Sequence, residues 1–161
     1  ILDMEPPRAP DMAPPPPVDP MAPPESAEML VLVNAFRATG GTCGGRAFPP
    51  VGPLTWDPLL EAAAQGHAED MANQNYFDHQ SLDGRNPGDR ISAAGYQWMT
   101  YGENIAAGQG SVQAAFEGWV SSPGHCENML RDRFEDFGFG FAENPATQYG
   151  RYWVQKFGTS R

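Results

Sequence analysis

Positive charge is scarce in this sequence, and lysine is almost missing. Ten lysine and arginine residues stand against twenty acidic ones, the formal net charge is −10, and Lys156 is the only lysine. A surface with this excess of negative charge repels the phosphates of nucleic acids and of anionic membranes. We therefore expect no nucleic-acid partner and no attachment to an anionic membrane surface.

Long apolar runs are also missing. The longest candidate is "MLVLV" at 29–33, far below the roughly 20 residues that a membrane-spanning helix needs. There is no internal repeat, no phosphate-binding glycine loop and no dinucleotide fingerprint. We expect no membrane span in this chain and no nucleotide cofactor.

Cysteine is limited to two residues, Cys43 and Cys126, far apart and without C-x-x-C spacing. This pattern indicates one disulfide in an oxidising compartment, and the alternative is two unrelated buried thiols. The chain starts at Ile1 and has no basic-then-apolar leader. A removed signal peptide explains that start, as a recombinant truncation also would. The expected location is secreted or periplasmic.

Proline is concentrated at one end. More than half of the 17 prolines lie in residues 1–24, "ILDMEPPRAPDMAPPPPVDPMAPP". Such a segment favours extended polyproline II and has no core of its own. We predict a proline-rich arm over 1–24 and a globular domain over 25–161. The arm is either a spacer or a segment that docks, preferably on another extracytoplasmic protein.

Helical patterns come first in the domain, and strand patterns come last. "ESAEMLVLVNAFRATGG", "TWDPLLEAAAQGHAEDMANQNYF" and "SVQAAFEGWVSS" have helical spacing, and Pro123-Gly124 reads as a helix stop. "FEDFGFGFAE" and "YGRYWVQKFG" alternate as strands do. This order predicts an α+β protein.

Several motifs in fixed order resemble one family. They are "LVNAFRA", "FDHQSLDGRNPGDRISAAGY", "GENIAAG", "AFEGWVSSPGHCENML" and "YWVQKFG". The chain is similar to the CAP superfamily, which includes cysteine-rich secretory, venom-antigen and pathogenesis-related proteins. The secreted bacterial branch is the better likeness. The resemblance implies a three-layer α-β-α sandwich with a small antiparallel sheet.

The resemblance also implies a cleft lined by two histidines and two acidic residues. His79 in "FDHQS" and Glu103 in "GENI" match two of these four positions. The second glutamate is replaced by Ser122, and the second histidine by Tyr152 in "RYWVQ". His125 is the expected substitute, as in bacterial relatives.

The expected cleft therefore contains His79, Glu103 and His125, with Ser122, Tyr152 and Gln155 as lining candidates. Two imidazoles and one carboxylate suit Zn²⁺ or another divalent cation. Without metal, each residue has an ordinary structural role: a loop hydrogen bond, a turn acceptor, or a bond to Ser122. His67 lies on the apolar face of its helix and is expected to be a core residue.

Two classes of function follow. The first is a secreted or periplasmic binding or accessory module, docked through its arm, with a small or lipid ligand in the cleft. The second is a metal-assisted or histidine-dependent hydrolase that acts on peptides or other extracellular polymers. In a serine-dependent form, Ser121 or Ser122 would cooperate with His125, and Glu103 would orient the histidine. Because no G-x-S-x-G elbow or oxyanion hole is evident, we favour the binding module and expect no enzyme. His79, Glu103 and His125 remain the candidates should there be catalysis.

Overall fold

The computed structural model describes residues 18–161, so most of the predicted arm lies outside the described part of the chain. The helices within it are α1 (Pro24–Thr39), α2 (Pro58–Gln74), α3 (Pro87–Ala93), α4 (Val112–Val120) and α5 (Pro123–Met129). The strands are β1 (Gly41–Cys43), β2 (Arg46–Phe48), β3 (Thr55–Trp56), β4 (Trp98–Ala107), β5 (Asp136–Glu143) and β6 (Arg151–Ser160).

The main sheet has the strand order β3-β5-β6-β4. The three long strands pair antiparallel, and the two-residue β3 adds a short parallel edge. The separate hairpin β1–β2 turns at Gly44 and Gly45, whose φ angles of 58° and 82° favour glycine.

Glycines in β5 let α2 pack closely on one face of the sheet. A Cβ at Gly138 would lie 2.3 Å from backbone atoms of Leu60 and Glu61, and one at Gly140 would lie 2.4 Å from the carbonyl oxygen of Ala64. The alternating residues Phe137 and Phe139 point to the opposite face and are buried. The pattern "FGFGF" thus places aromatic side chains on one face and a helix backbone on the other.

The phenylalanine face packs against α1 and α4 in the largest apolar cluster, which includes Met29, Val33 and Trp119. With α2 on the other face, the molecule has three layers. The predicted α+β sandwich is confirmed, with the parallel β3 edge as an addition to the expected antiparallel sheet.

Side chains form hydrogen bonds with backbone groups at both edges of the sheet. Along β5, the amide of Phe139 donates to Glu61 (2.7 Å), and Gln65 bonds both the amide and the carbonyl of Phe141. Along β4, Trp119 Nε1 donates to the carbonyl of Ile105 at 3.0 Å. Edges with occupied backbone groups are poor templates for pairing with another chain.

The helix α4 ends at Val120, before Pro123, as predicted, but Pro123 is also the first residue of a further helix, α5, where its missing N–H costs nothing. The segment "GENI" and its flanking aromatics lie in or next to β4. Tyr96 is buried there and donates to Asp136.

None of the helices within residues 18–161 combines the length and apolar character needed to cross a membrane.

Candidate functional site

The disulfide predicted from the sequence is present. Cys43 at the end of β1 is bonded to Cys126 in α5, across 83 residues of sequence. Both cysteines are buried and pack with Leu130. The bond therefore ties the short helix that carries His125 to the β1–β2 hairpin.

Glu103 lies in the interior, on the α2 face of β4. In the register, Lys156 of β6 sits between Glu103 and Gly138 of β5, so these residues share the face that α2 covers. The Glu103 side chain is 2% exposed. It contacts Lys156 Nζ, and Arg90 Nη2 of α3 donates to its carboxylate at 3.0 Å.

His79 reaches the same carboxylate from the loop after α2. Its Nδ1 is 2.8 Å from Glu103 Oε1, and its side chain is 51% exposed, in contrast to the buried glutamate. Glu103 therefore contacts two buried cations and one accessible imidazole. The structure brings His79 and Glu103 together, as the resemblance implied.

The partners of Glu103 keep it ionised. Burial alone would raise its pKa, but the hydrogen bond from His79 and the charges of Lys156, His67 and Arg90 outweigh burial and lower the pKa to about 2. Burial lowers the pKa of Lys156 to about 8, although Glu103 opposes that effect.

His125 approaches from the opposite face of the sheet. Its Nδ1 is 2.9 Å from Ser122 Oγ, and its carbonyl accepts from Asn104 Nδ2 at 3.1 Å. Burial lowers its pKa, and the nearby charge of His79 adds to this effect. His125 pairs with Ser122, whereas Glu103 pairs with His79, so the described side chains do not form the Ser-His-Glu arrangement considered for a hydrolase.

The remaining lining candidates are buried. Tyr152 is 0% exposed and packs with Val154 and Ala64 under α2, so it does not line an open cleft. Gln155 is also 0% exposed and faces the other side, where its amide oxygen accepts from Asn104 at 3.0 Å. Of the three lining candidates, only Ser122 is partly exposed.

The donor set does not fit a divalent cation well. Within residues 18–161, no three His, Cys, Asp or Glu side chains are grouped as metal ligands. Both Glu103 oxygens already accept from Arg90, and Lys156 and His79 contact them as well. An added cation would meet two positive charges beside one negative charge. The zinc site stays a prediction, and the Glu103 carboxylate is already bound by Arg90, Lys156 and His79.

Sequence reasoning did not identify Arg90 and Lys156 as partners of Glu103. One signal was available: Lys156, the only lysine, lies next to Gln155 within the largely apolar strand "YWVQKFG". A charged side chain in such a strand needs a buried partner.

His67 is a core residue, as predicted. It is 1% exposed, and its Nε2 lies 2.8 Å from the carbonyl oxygen of Asp78. Burial lowers its pKa to about 4, an effect that the charge of Glu103 only partly opposes. Its Nδ1 has no partner among the described residues.

This histidine should make the protein less stable in mild acid. The unfolded chain binds a proton at His67 below about pH 6.5, whereas the folded state resists protonation until about pH 4. The contribution of His67 to the free energy of unfolding is therefore nearly constant well above pH 6.5. It falls as the pH drops from about 6.5 to about 4. We expect a loss of about 2 kcal/mol in the free energy of unfolding between pH 7.5 and 5.

Urea unfolding at pH 7.5, 6.5 and 5 measures this loss, and His67→Gln should remove most of the slope. His125, whose pKa is also lowered, acts in the same direction, so the difference between wild type and variant is the relevant quantity. An identical slope in both proteins would contradict the assignment to His67.

Comparisons with known proteins agree with this architecture. The sequence model of the cysteine-rich secretory protein family, CAP, matches residues 30–157. The uncharacterized protein YkwD of Bacillus subtilis is 37% identical over 130 residues, which cover 81% of this chain and 45% of that protein.

Solved structures show the same fold. An extracellular protein with an SCP domain from Bacillus anthracis superposes with a TM-score of 0.71 at 29% identity, over 84% of this chain and 40% of that one. An outer surface protein from Borrelia burgdorferi gives 0.66 at 19% identity, over 84% and 89% of the two chains, which shows the fold alone.

This chain spans less than half the length of the B. subtilis and B. anthracis relatives. The family match nevertheless runs from residue 30, within α1, to residue 157, within β6, and includes the disulfide, His79, Glu103 and His125. The resemblance inferred from the motifs is confirmed, and the chain belongs to the cysteine-rich secretory protein (CAP) family.

Proposed function

We propose that this protein is an extracytoplasmic CAP-domain module that binds a ligand or partner and does not catalyse a reaction. The observation that carries the proposal is the state of Glu103, the one acidic residue of the cleft set. Its carboxylate is buried and held by Arg90, Lys156 and His79. A carboxylate so engaged is unsuited to hold a catalytic metal or to orient His125 as a general base.

An extracytoplasmic location is supported by two observations. A buried disulfide is typical of proteins from oxidising compartments. The B. anthracis neighbour, which shares the fold at 29% identity, is described as extracellular. Secretion or export to a periplasm is therefore part of the proposal.

The accessory role rests on the arm. Val18 and Pro20, at the end of the arm, line a groove together with Leu54 and Trp56 of the domain. Met21, by contrast, is 78% exposed. Residues 1–17, which lie outside the described residues, carry apolar side chains between prolines. Polyproline segments lose little conformational entropy on binding, which favours docking on a partner protein.

Deleting residues 1–17 tests this role. We expect the melting temperature to change by only a few degrees, because 18–23 and the core remain intact. Recovery of a partner from the extracytoplasmic fraction of the source cell should be lost when the truncated protein replaces the full chain as bait. Large destabilisation by the deletion, or equal recovery with both baits, would contradict the accessory role.

The hydrolase is the second candidate, and one contact favours it: Ser122 Oγ lies 2.9 Å from His125 Nδ1. A peptide and an activated ester are suitable substrates for a test. Under the binding proposal, any turnover should be the same in wild type, in Ser122→Ala and in the matched control Ser121→Ala. Ser121 is a suitable control because its hydroxyl donates to the Glu117 carbonyl in α4. Turnover lost only in Ser122→Ala would favour the hydrolase.

A further inference from the structure

The environment of Lys156 is unusual for a structural residue. The only lysine of the chain is 0% exposed, and its Nζ contacts Glu103. Arg90, with a side chain 5% exposed, binds the same carboxylate. A buried ion pair gives little net stability compared with apolar residues of similar volume. Two buried cations around one carboxylate therefore suggest a task besides stability.

The consequence of this arrangement appears at His79. Glu103 is held as a carboxylate, and a carboxylate only accepts hydrogen bonds. The 2.8 Å contact from His79 Nδ1 to Glu103 Oε1 therefore requires that Nδ1 carry the proton. In the neutral ring, Nε2 then has a free lone pair. Within residues 18–161, Nε2 makes no hydrogen bond to the protein, and the ring is half exposed.

We propose that Arg90 and Lys156 are positioning residues that act through Glu103 to keep His79 in the tautomer with the proton on Nδ1. The atom that His79 offers to the cleft is a hydrogen-bond acceptor. The ligand group that it recognises is a donor, such as a hydroxyl or an amide N–H. This ligand class rests on the proposed binding function, whereas the tautomer does not.

The same geometry commits the Glu103 carboxylate to partners within the protein. Arg90 and Lys156 surround Glu103 on the side of α3 and β6, and His79 takes the remaining accessible contact. A divalent cation would have to displace one of these partners and would face two like charges. The Glu103 carboxylate is therefore not a free metal ligand.

NMR of the full chain with ¹⁵N-labelled histidine tests the inference directly. Long-range ¹H–¹⁵N spectra at pH 7.5 distinguish protonated from unprotonated ring nitrogens. In the wild type we expect His79 to carry its proton on Nδ1 and none on Nε2. A wild-type His79 with a proton on Nε2, alone or together with one on Nδ1, would overturn the proposal without any variant.

Variants separate positioning from a purely structural role. In Lys156→Met, we expect the share of His79 rings with the proton on Nδ1 to fall, because burial raises the pKa of a Glu103 that has lost one counter-charge, and a protonated carboxyl can donate to Nδ1. Arg90→Met should act in the same direction. Arg85→Met is the matched control, because Arg85 pairs with Asp83 on the surface of the loop that also carries His79. This variant should leave the tautomer ratio unchanged. Folded Lys156→Met and Arg90→Met proteins with the wild-type ratio would overturn the positioning role.

The NMR test of His79 and the arm-deletion test of the accessory role can fail independently of each other. The expected tautomer combined with no effect of the arm deletion would leave this inference standing and remove docking. The opposite combination would keep docking and overturn the positioning of His79.

Discussion

Arg37→Met should lower the free energy of unfolding by about 3–5 kcal/mol, the range for losing one partner of a buried polar network. Arg37 is 1% exposed near the end of α1. Its guanidinium donates to four carbonyl oxygens: Gly52 (2.7 Å), Met129 (2.9 Å), Arg131 (2.9 Å) and Phe134 (3.2 Å).

These acceptors explain the size of the effect. The carbonyls of Met129 and Arg131 belong to the end of α5 and the turn after it, where a helix leaves its last carbonyls without partners. Methionine has similar length but no donors, so all four oxygens would lose this partner in the interior. Burial lowers the pKa of Arg37 to about 10, with Asp132 opposing the change, so the side chain stays charged at neutral pH.

Chemical denaturation of wild type, Arg37→Met and Arg37→Lys measures the effect. Lysine keeps the charge but not the planar set of five donors, so most of the loss should remain. Arg133→Met is the control, because Arg133 is exposed, and it should change stability by less than about 0.5 kcal/mol. A loss under about 1 kcal/mol in Arg37→Met would mean that the carbonyls find other partners.

Removing the Cys43–Cys126 disulfide should lower the free energy of unfolding by about 4–5 kcal/mol, because the bond closes a long loop in the unfolded chain. The bond spans 83 residues, from the hairpin to α5. The double variant Cys43→Ala and Cys126→Ala avoids placing polar hydroxyls in the buried cluster with Leu130. Urea unfolding measures the loss against wild type.

Two further measurements sharpen this prediction. Mass spectrometry of unreduced, alkylated protein should find no labelled cysteine. Because Cys126 follows His125 in α5, the His125 ring signals should also broaden or shift in the double variant, while those of His67 should not. Stability within about 1 kcal/mol of wild type would show that the loop is already constrained in the unfolded chain.

Local chemistry made much of the fold predictable. Asp57 caps α2 by accepting from Leu59 and Leu60, and Ser111 caps α4 by accepting from Ala114, and both are residue types that favour the N-cap position. Pro123 shows the limit of the same logic. A proline can follow the end of one helix or stand in the first turn of the next, and in the folded chain Pro123 begins α5, which carries Cys126 to Cys43.

The sequence by itself determined the family and the order of helices and strands, which depend on motifs and periodicity. The two cysteines indicated a disulfide, and the family resemblance, not the residue pattern alone, implied that His79 and Glu103 share a cleft. Tertiary structure alone decided that Lys156 and Arg90 hold Glu103, and that Tyr152 is buried under α2.

The physical reason is strand register. Glu103 and Lys156 face each other because β4 and β6 pair with that alignment. A shift of one residue would turn every side chain of the strand to the other face, and alternation within one strand does not reveal its neighbour's register. Whether a histidine and a glutamate form a metal site or an ion-paired binding site therefore depends on contacts that only the folded sheet creates.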